Sequence, residues 1–266
     1  MKLGIAIRNM GAQSTRQTMT ECAQYAEQIG MDSLWVAEHI AIPPDDAEGS
    51  DGRYLDPLIT LAYLAGKTKR IGLGTGALIL PYRPPLITAR LVATLQELAE
   101  DRLQLGVGIG WMLPEFLALG LDMRQRVNDS RSVLEFLHAA FGNDEVTLNG
   151  QRFLFRPRPS RPPILIGGAP PHAIARALAY GDGWLPMRLS PEALKPWIDD
   201  YQVQALSAGK TPQQVVAFTQ LPVNDVRQCA DLMAAYRDVG VTTLVHSQRY
   251  DSAREIIAAM EAIHRT

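Results

Sequence analysis

The residues of this chain that could do chemistry fall at a few places. Glu38-His39 closes the apolar run Ser33–Ala37. An imidazole there can take or give a proton near neutral pH. His39 is therefore the candidate general acid/base, and Glu38 beside it could tune or hold it. His246 ends another apolar run, Thr242–His246, and is a second candidate. No two histidines have HExxH spacing and no Cys/His cluster occurs, so no zinc site is expected. No GxSxG elbow is present either.

Glycines form the other pattern. Gly72, Gly74 and Gly76 alternate along one apolar run, and Gly106, Gly108 and Gly110 repeat the spacing in GVGIGW. Glycine weakens a strand unless something must approach its backbone. A flat ligand laid in a shallow slot would explain both triplets, and so would tight packing inside a barrel. The dinucleotide spacing GxGxxG is absent. Ile164–Pro170 reads ILIGGAP and leads into a helical pattern. Such a turn exposes N–H groups at a positive helix end, suited to phosphate; a plain tight turn fits as well.

Positioning these residues requires strands that end where they lie. Short β-branched runs alternate with helical patterns from end to end: Leu3–Arg8, Ser33–Ala37, Ile71–Ile79, Leu103–Ile109, Ile164–Ile166, Gly183–Pro186, Val215–Leu221 and Thr242–His246. Eight strands, each with a following helical segment, predict a (β/α)8 barrel as one domain over residues 1–266. A doubly wound open sheet is the alternative. Val146–Phe155 alternates around Asn149-Gly150 and predicts an inserted hairpin. Barrel chemistry collects at the carboxyl ends of strands, which selects Arg8-Asn9, Glu38-His39, Ile79–Arg83, Gly108–Trp111, Gly167–Pro170, Pro186–Arg188, Pro222-Val223 and His246–Gln248.

Composition removes other classes. The 266 residues carry 26 Lys+Arg against 28 Asp+Glu, a net charge of −2, without a dense basic run. No nucleic-acid partner is expected. The two cysteines, Cys22 and Cys229, exclude a disulfide framework. No apolar run approaches the ~20 residues of a membrane span, and the amino end lacks a signal-peptide pattern. A cytoplasmic protein without a membrane partner is expected.

Four strings carry a resemblance: MDSLWVAEHI (Met31–Ile40), RIGLGTGALILPYRPPL (Arg70–Leu86), ATLQELAEDRLQLGVGIGW (Ala93–Trp111) and PILIGGAPPHAIARALAYGDGW (Pro163–Trp184). In this order they resemble the bacterial luciferase-like monooxygenase family. That family includes flavin-dependent monooxygenases and oxidoreductases dependent on the deazaflavin coenzyme F420. GxGxGW and the IGG…GDGW pair look most like the F420 branch.

The resemblance implies a (β/α)8 barrel with the cofactor ring at the carboxyl ends of the strands. A bulge or non-prolyl cis bond near Gly74–Gly76 would support the ring, and His39 would lie at its reactive edge. The implied cofactor-binding residues are Gly74, Thr75, Gly76, Gly106, Gly108 and Gly110, with Gly167, Gly168 and Ala169 holding the phosphate. Trp111, Arg8 and His246 are the candidate substrate-binding residues, together with the loop Ile40–Tyr54.

Two positions depart from the family pattern. Asp101 stands where relatives often have Gly, and Ile109 lies where luciferases bring an Arg to the flavin. The implied activity is F420-dependent hydride transfer to or from a small organic substrate. An FMN monooxygenase using reduced flavin and O2 is the alternative, and a non-catalytic flavin-binding protein is the rival of another class. A flavin or F420 reductase and a second copy of the chain, as a homodimer, are the compatible partners.

Overall fold

Five helices begin at residues whose side chains cap them. Thr15, Asp56, Ser190, Asp225 and Ser252 each accept a hydrogen bond from the N–H three residues on. Each satisfies one of the donors that a helix start leaves unpaired. A computed structural model describes residues 1–211 and 213–266.

In chain order the elements are β1 (Lys2–Ala6), α1 (Arg16–Gln28), β2 (Ser33–Val36), α2 (Pro57–Ala65), β3 (Gly72–Thr75), β4 (Leu78–Ile79) and α3 (Pro85–Leu98). Then follow β5 (Leu103–Gly108), α4 (Leu113–Ala118), α5 (Arg126–Gly142), and the antiparallel hairpin β6 (Glu145–Leu148) and β7 (Gln151–Leu154). The remainder is β8 (Ile164–Gly167), α6 (His172–Tyr180), β9 (Gly183–Leu185), α7 (Pro191–Ser207), β10 (Gln214–Thr219), α8 (Val226–Asp238), β11 (Thr243–His246) and α9 (Ala253–His264).

All barrel pairings are parallel, and β11 pairs back onto β1 while β3 and β4 both pair with β5. The sheet is thus a closed barrel of eight strands, the third in two pieces, with helices between strands. The expected unbroken strand Ile71–Ile79 is interrupted, and the register gives the reason. Gly74 pairs with Gln104 and Leu78 with Val107. One strand advances four residues while the other advances three, so one extra residue bulges out. The bulge contains the non-prolyl cis bond Gly76–Ala77.

The barrel interior is filled by Trp35, Leu165, Leu185, Val216, Phe218 and Val245. Trp35 and Phe218 meet edge to face, with ring centroids 5.5 Å apart. A larger apolar layer lies between the sheet and the helices, and Cys22 and Cys229 are buried, unpaired members of it.

At the amino end of the barrel, Arg102 ties two helix ends to the sheet. Its Nε donates to Ala99 O at 2.8 Å. Nη1 donates to Ile71 O at 3.1 Å, and Nη2 to Ala65 O at 3.1 Å. Asp101 just before it sits at φ +61°, the left-handed region that glycine adopts freely.

Trp35 dictates small neighbours. A Cβ on Gly74 would lie 2.2 Å from the Trp35 ring, whereas one on Gly142 would meet no atom within 4 Å. Overpacking a filled core costs ~1–3 kcal/mol, so Gly74→Ala is expected to lower the denaturation midpoint clearly. Gly142→Ala, at the last residue of α5, is expected to hold or raise it slightly, by at most the ~0.5–1 kcal/mol that Gly costs in a helix middle. Denaturant titrations of both variants check this; equal midpoints would show that the interior can yield around Trp35.

Candidate active site

The chain leaves β2 through Glu38 and His39, and the first turn of α4 brings Glu115 back against them. Glu115 is 1% exposed. Its Oε1 accepts the N–H groups of Ile40 (2.6 Å) and Ala41 (3.1 Å). Its Oε2 accepts the Tyr82 hydroxyl (2.7 Å) and lies 3.2 Å from His39 Nδ1. Burial works against this charge, but the Tyr82 hydroxyl, the two N–H groups and His39 outweigh it. Together they hold the carboxyl below the usual range. The Tyr82 hydroxyl is pushed up, first by burial and then by Glu115.

His39 is half-buried, with its ring edge-on to Tyr54 (5.1 Å) and Trp111 (5.8 Å). The contact with His39 expected of Glu38 is thus made by Glu115. Glu38 turns the other way: its Oε2 accepts Ile79 N–H at 2.6 Å and its Oε1 accepts Arg83 Nη2. Arg83 also reaches Asp56 at 2.8 Å. Burial pushes the Glu38 carboxyl up, while Glu38 and Asp56 outweigh burial and raise Arg83. Through these bonds Glu38 ties β4 to the end of β2.

The glycines of both triplets make room for neighbouring protein atoms. Gly74 makes room for Trp35, and Gly76 for Phe218, which a Cβ would approach to 2.6 Å. Gly106 makes room for Thr75, whose carbonyl oxygen would lie 2.0 Å from its Cβ. The fully buried Thr75 donates its hydroxyl to Gly106 O at 2.7 Å. Gly110, at φ +77°, packs on Phe116.

A Cβ on Gly108 would lie 3.2 Å from Ile79 Cδ1, and one on Gly167 only 2.9 Å from the Val107 carbonyl oxygen; the Ala77 methyl would be at ordinary contact from both, 3.6 and 3.7 Å. Gly167 is buried, and Gly168 and Ala169 are exposed at the strand-to-helix turn. Gly168 takes φ +127° and its carbonyl accepts Trp184 Nε1–H at 2.9 Å. The GDGW string therefore fixes this turn at its upper end. At its lower end Asp182 binds Arg161 through two hydrogen bonds of 2.7 and 2.8 Å.

Two arginines that the sequence reading did not select complete the turn. A Cβ on Gly168 would lie 3.4 Å from Arg176 Nη2, which comes from α6. Arg176 Nε is buried without a partner. Burial and then Arg126 lower the Arg176 pKa. Arg126, on α5, donates to Gly110 O at 3.3 Å. Among the described residues neither guanidinium has a carboxylate partner. A half-buried cation without a partner carries a cost, which an anion beside Arg176 would relieve. The signal in the sequence was an Arg one turn into the helix after ILIGGAP, with no acid at helical spacing.

Of the remaining candidates, Trp111 touches His39 and is 68% exposed; a groove of about 730 Å³ is lined by residues that include Leu113, Leu117, Leu121 and Val127. Arg8 supports the loop, donating from Nη2 to Gly49 O at 2.6 Å. His246 is 1% exposed and accepts Leu221 N–H on Nδ1 at 3.0 Å. Val245 before it points into the barrel, so His246 points outward, away from the His39 cluster. No three His, Cys, Asp or Glu among the described residues are grouped to hold a metal ion. No helix there is long and apolar enough to cross a membrane.

The fold is a closed parallel barrel, with His39 and a Gly-Gly turn at its strand ends. The chain belongs to the luciferase-like monooxygenase family, whose model matches residues 1–265. Family members are F420- or FMN-dependent oxidoreductases and monooxygenases. An uncharacterised protein of Mycobacterium tuberculosis is 27% identical over 266 residues, covering 92% of each chain.

Among solved structures, an F420-dependent secondary alcohol dehydrogenase superposes with a TM-score of 0.81 at 18% identity, covering 98% of each chain. The FMN-bound oxygenating component of 3,6-diketocamphane monooxygenase from Pseudomonas putida gives 0.79 at 14% identity, covering 99% of this chain and 96% of that one. At these identities the likeness is one of fold.

Burial holds the His246 pKa down to about 4 from 6.5. A base depressed in the fold stays neutral there, while the unfolded chain takes up the proton. This contribution is complete above pH 6.5 and fades as pH falls toward 4, with ~2 kcal/mol lost at pH 5. His246→Gln, which can still accept the Leu221 N–H, is expected to flatten the stability difference between pH 7 and pH 5. Denaturant titrations at both values check this; an unchanged slope would show that His246 does not set it.

Proposed function

We propose that this protein is an F420-dependent oxidoreductase that moves a hydride between the deazaflavin ring and a small organic substrate. The observation that carries the reading is the unpaired Arg176 beside Gly168, with Arg126 close by. These residues fit the phosphate that F420 and FMN share. When bound, the cofactor would supply the hydride or oxygen chemistry. Gly167, Gly168 and Ala169 would hold its phosphate with Arg176, and Gly108 would face its ring. His39 would hold or move the proton that accompanies the transfer, through Nε2. Trp111 and the loop Ile40–Tyr54 would cover the substrate and keep water out. Ile109, in place of a flavin-contacting Arg, favours F420 over FMN.

Fluorescence titration of the purified protein with F420, FMN and reduced FMN tests the reading. Tightest binding of F420 is expected. Preference for reduced FMN would move the protein to the monooxygenase reading, and binding of none would overturn both.

Arg176 provides a sharper test, because it serves the ligand at the expense of the free protein. Charge-assisted hydrogen bonds are worth ~1.5–3 kcal/mol, so Arg176→Met is expected to weaken binding of the preferred cofactor by about 10–100-fold. The thermal midpoint of the free variant should hold or rise, since a half-buried repulsive charge is gone. Unchanged affinity would remove Arg176 from the site.

A further inference from the structure

The Glu115 carboxylate has four donors from the protein, and one of them is not a fixed donor. The N–H groups of Ile40 and Ala41 belong to the backbone, and Tyr82 brings its hydroxyl. His39 Nδ1, the fourth, carries a hydrogen in only one of the two neutral tautomers. An ionised carboxylate can only accept, so at 3.2 Å it selects the tautomer with hydrogen on Nδ1.

We propose that Glu115 is the positioning residue of this site: it fixes His39 in the Nδ1–H tautomer and leaves Nε2 as a lone-pair acceptor. A carboxylate that accepts Nδ1–H holds an imidazole in orientation and stabilises its protonated form once a proton arrives on Nε2. The same carboxylate binds the backbone on either side of residue 40, so ring and loop are placed by one group. The titratable groups facing this pair are Tyr82 on Glu115 and Tyr54 on the His39 ring. Glu38 and Arg83 are occupied with each other. The catalytic side of the proposal rests on the reading of His39 as the proton carrier, while the tautomer does not.

Glu115→Gln separates the two. Gln keeps the shape, and its Oε1 can still accept from Ile40 and Ala41. Its amide nitrogen, turned to His39, donates where the carboxylate accepted. Nδ1 must then accept, and the hydrogen moves to Nε2. Long-range 1H–15N spectra of histidine-labelled free protein near pH 7 read this directly, with His39 assigned by its absence in His39→Gln.

Wild type is expected to show the Nδ1–H pattern and Glu115→Gln the Nε2–H pattern. An Nε2–H pattern in wild type would overturn the proposal without any variant, even if Glu115→Gln fails to fold. So would an unchanged pattern in a folded Glu115→Gln. A second readout is single-turnover oxidation of the bound reduced cofactor by an added small carbonyl compound, which takes the hydride and a proton to become the alcohol. Glu115→Gln should slow it by about 10²-fold, the lower range for acid–base catalysis, with cofactor affinity unchanged. A flipped tautomer with wild-type turnover would overturn the catalytic part and reduce Glu115 to a structural anchor. Cofactor binding by neither protein would instead count against the proposed function, while the tautomer result stands.

Discussion

A closed barrel of eight short strands has to be filled from inside, and in this protein one side chain, Trp35, sets how. It is fully buried and reaches across to the strands on both sides of its own. Cβ atoms on Gly4 and Gly74 would lie 2.8 and 2.2 Å from it. Interiors pack as densely as crystals, so those strands must be bare there. Ser33 on the same strand accepts the indole N–H at 2.9 Å, which satisfies the one polar atom that Trp35 buries. Phe218 then closes over Trp35 and takes the space at Gly76. Gly168 lies beyond this aromatic plug, at the strand-to-helix turn, where a Cβ would meet Arg176 Nη2 and the Ala173 methyl at ordinary contact, 3.4 and 3.5 Å.

The charges at the strand ends sort themselves by what they lack. Glu38 and Asp56 both bind Arg83 through Nη2, while its Nη1 is buried without a partner. Glu115 has donors but no Lys or Arg, and Arg176 has neither an acid nor a partner for Nε. A charge with no opposite charge beside it is a candidate position for a ligand. The strand ends therefore carry an acidic pole facing an imidazole and a cationic pole at the start of α6. A ligand with a polar reactive end and an anionic end matches both.

Much of the fold was legible in the sequence because strand length, helix caps and turn glycines are local signals. Asn149-Gly150 is one: both residues take positive φ, +50° and +76°, at the tip of the β6–β7 hairpin. The run Ile71–Ile79 was read as one strand because a bulge changes register, not composition. The glycine triplets were ambiguous for a related reason. Alternation tells which face is bare, and only the neighbouring strand tells whether Trp35 or open space lies across from it.

The site was legible where a residue follows its own strand and obscure where it arrives from elsewhere. His39 and the Gly-Gly turn are strand-end residues, so fold logic alone placed them. Glu115 reads as an ordinary acid in the first turn of a helix, favoured there by the helix dipole. That role accounts for its type without reference to His39, which lies 76 positions away in sequence. Glu38 adjoins His39 in sequence, yet consecutive residues of an extended chain point to opposite sides. The adjacent acid is therefore the one poorly placed to bond the ring, and a histidine at a strand end takes its carboxylate from another segment.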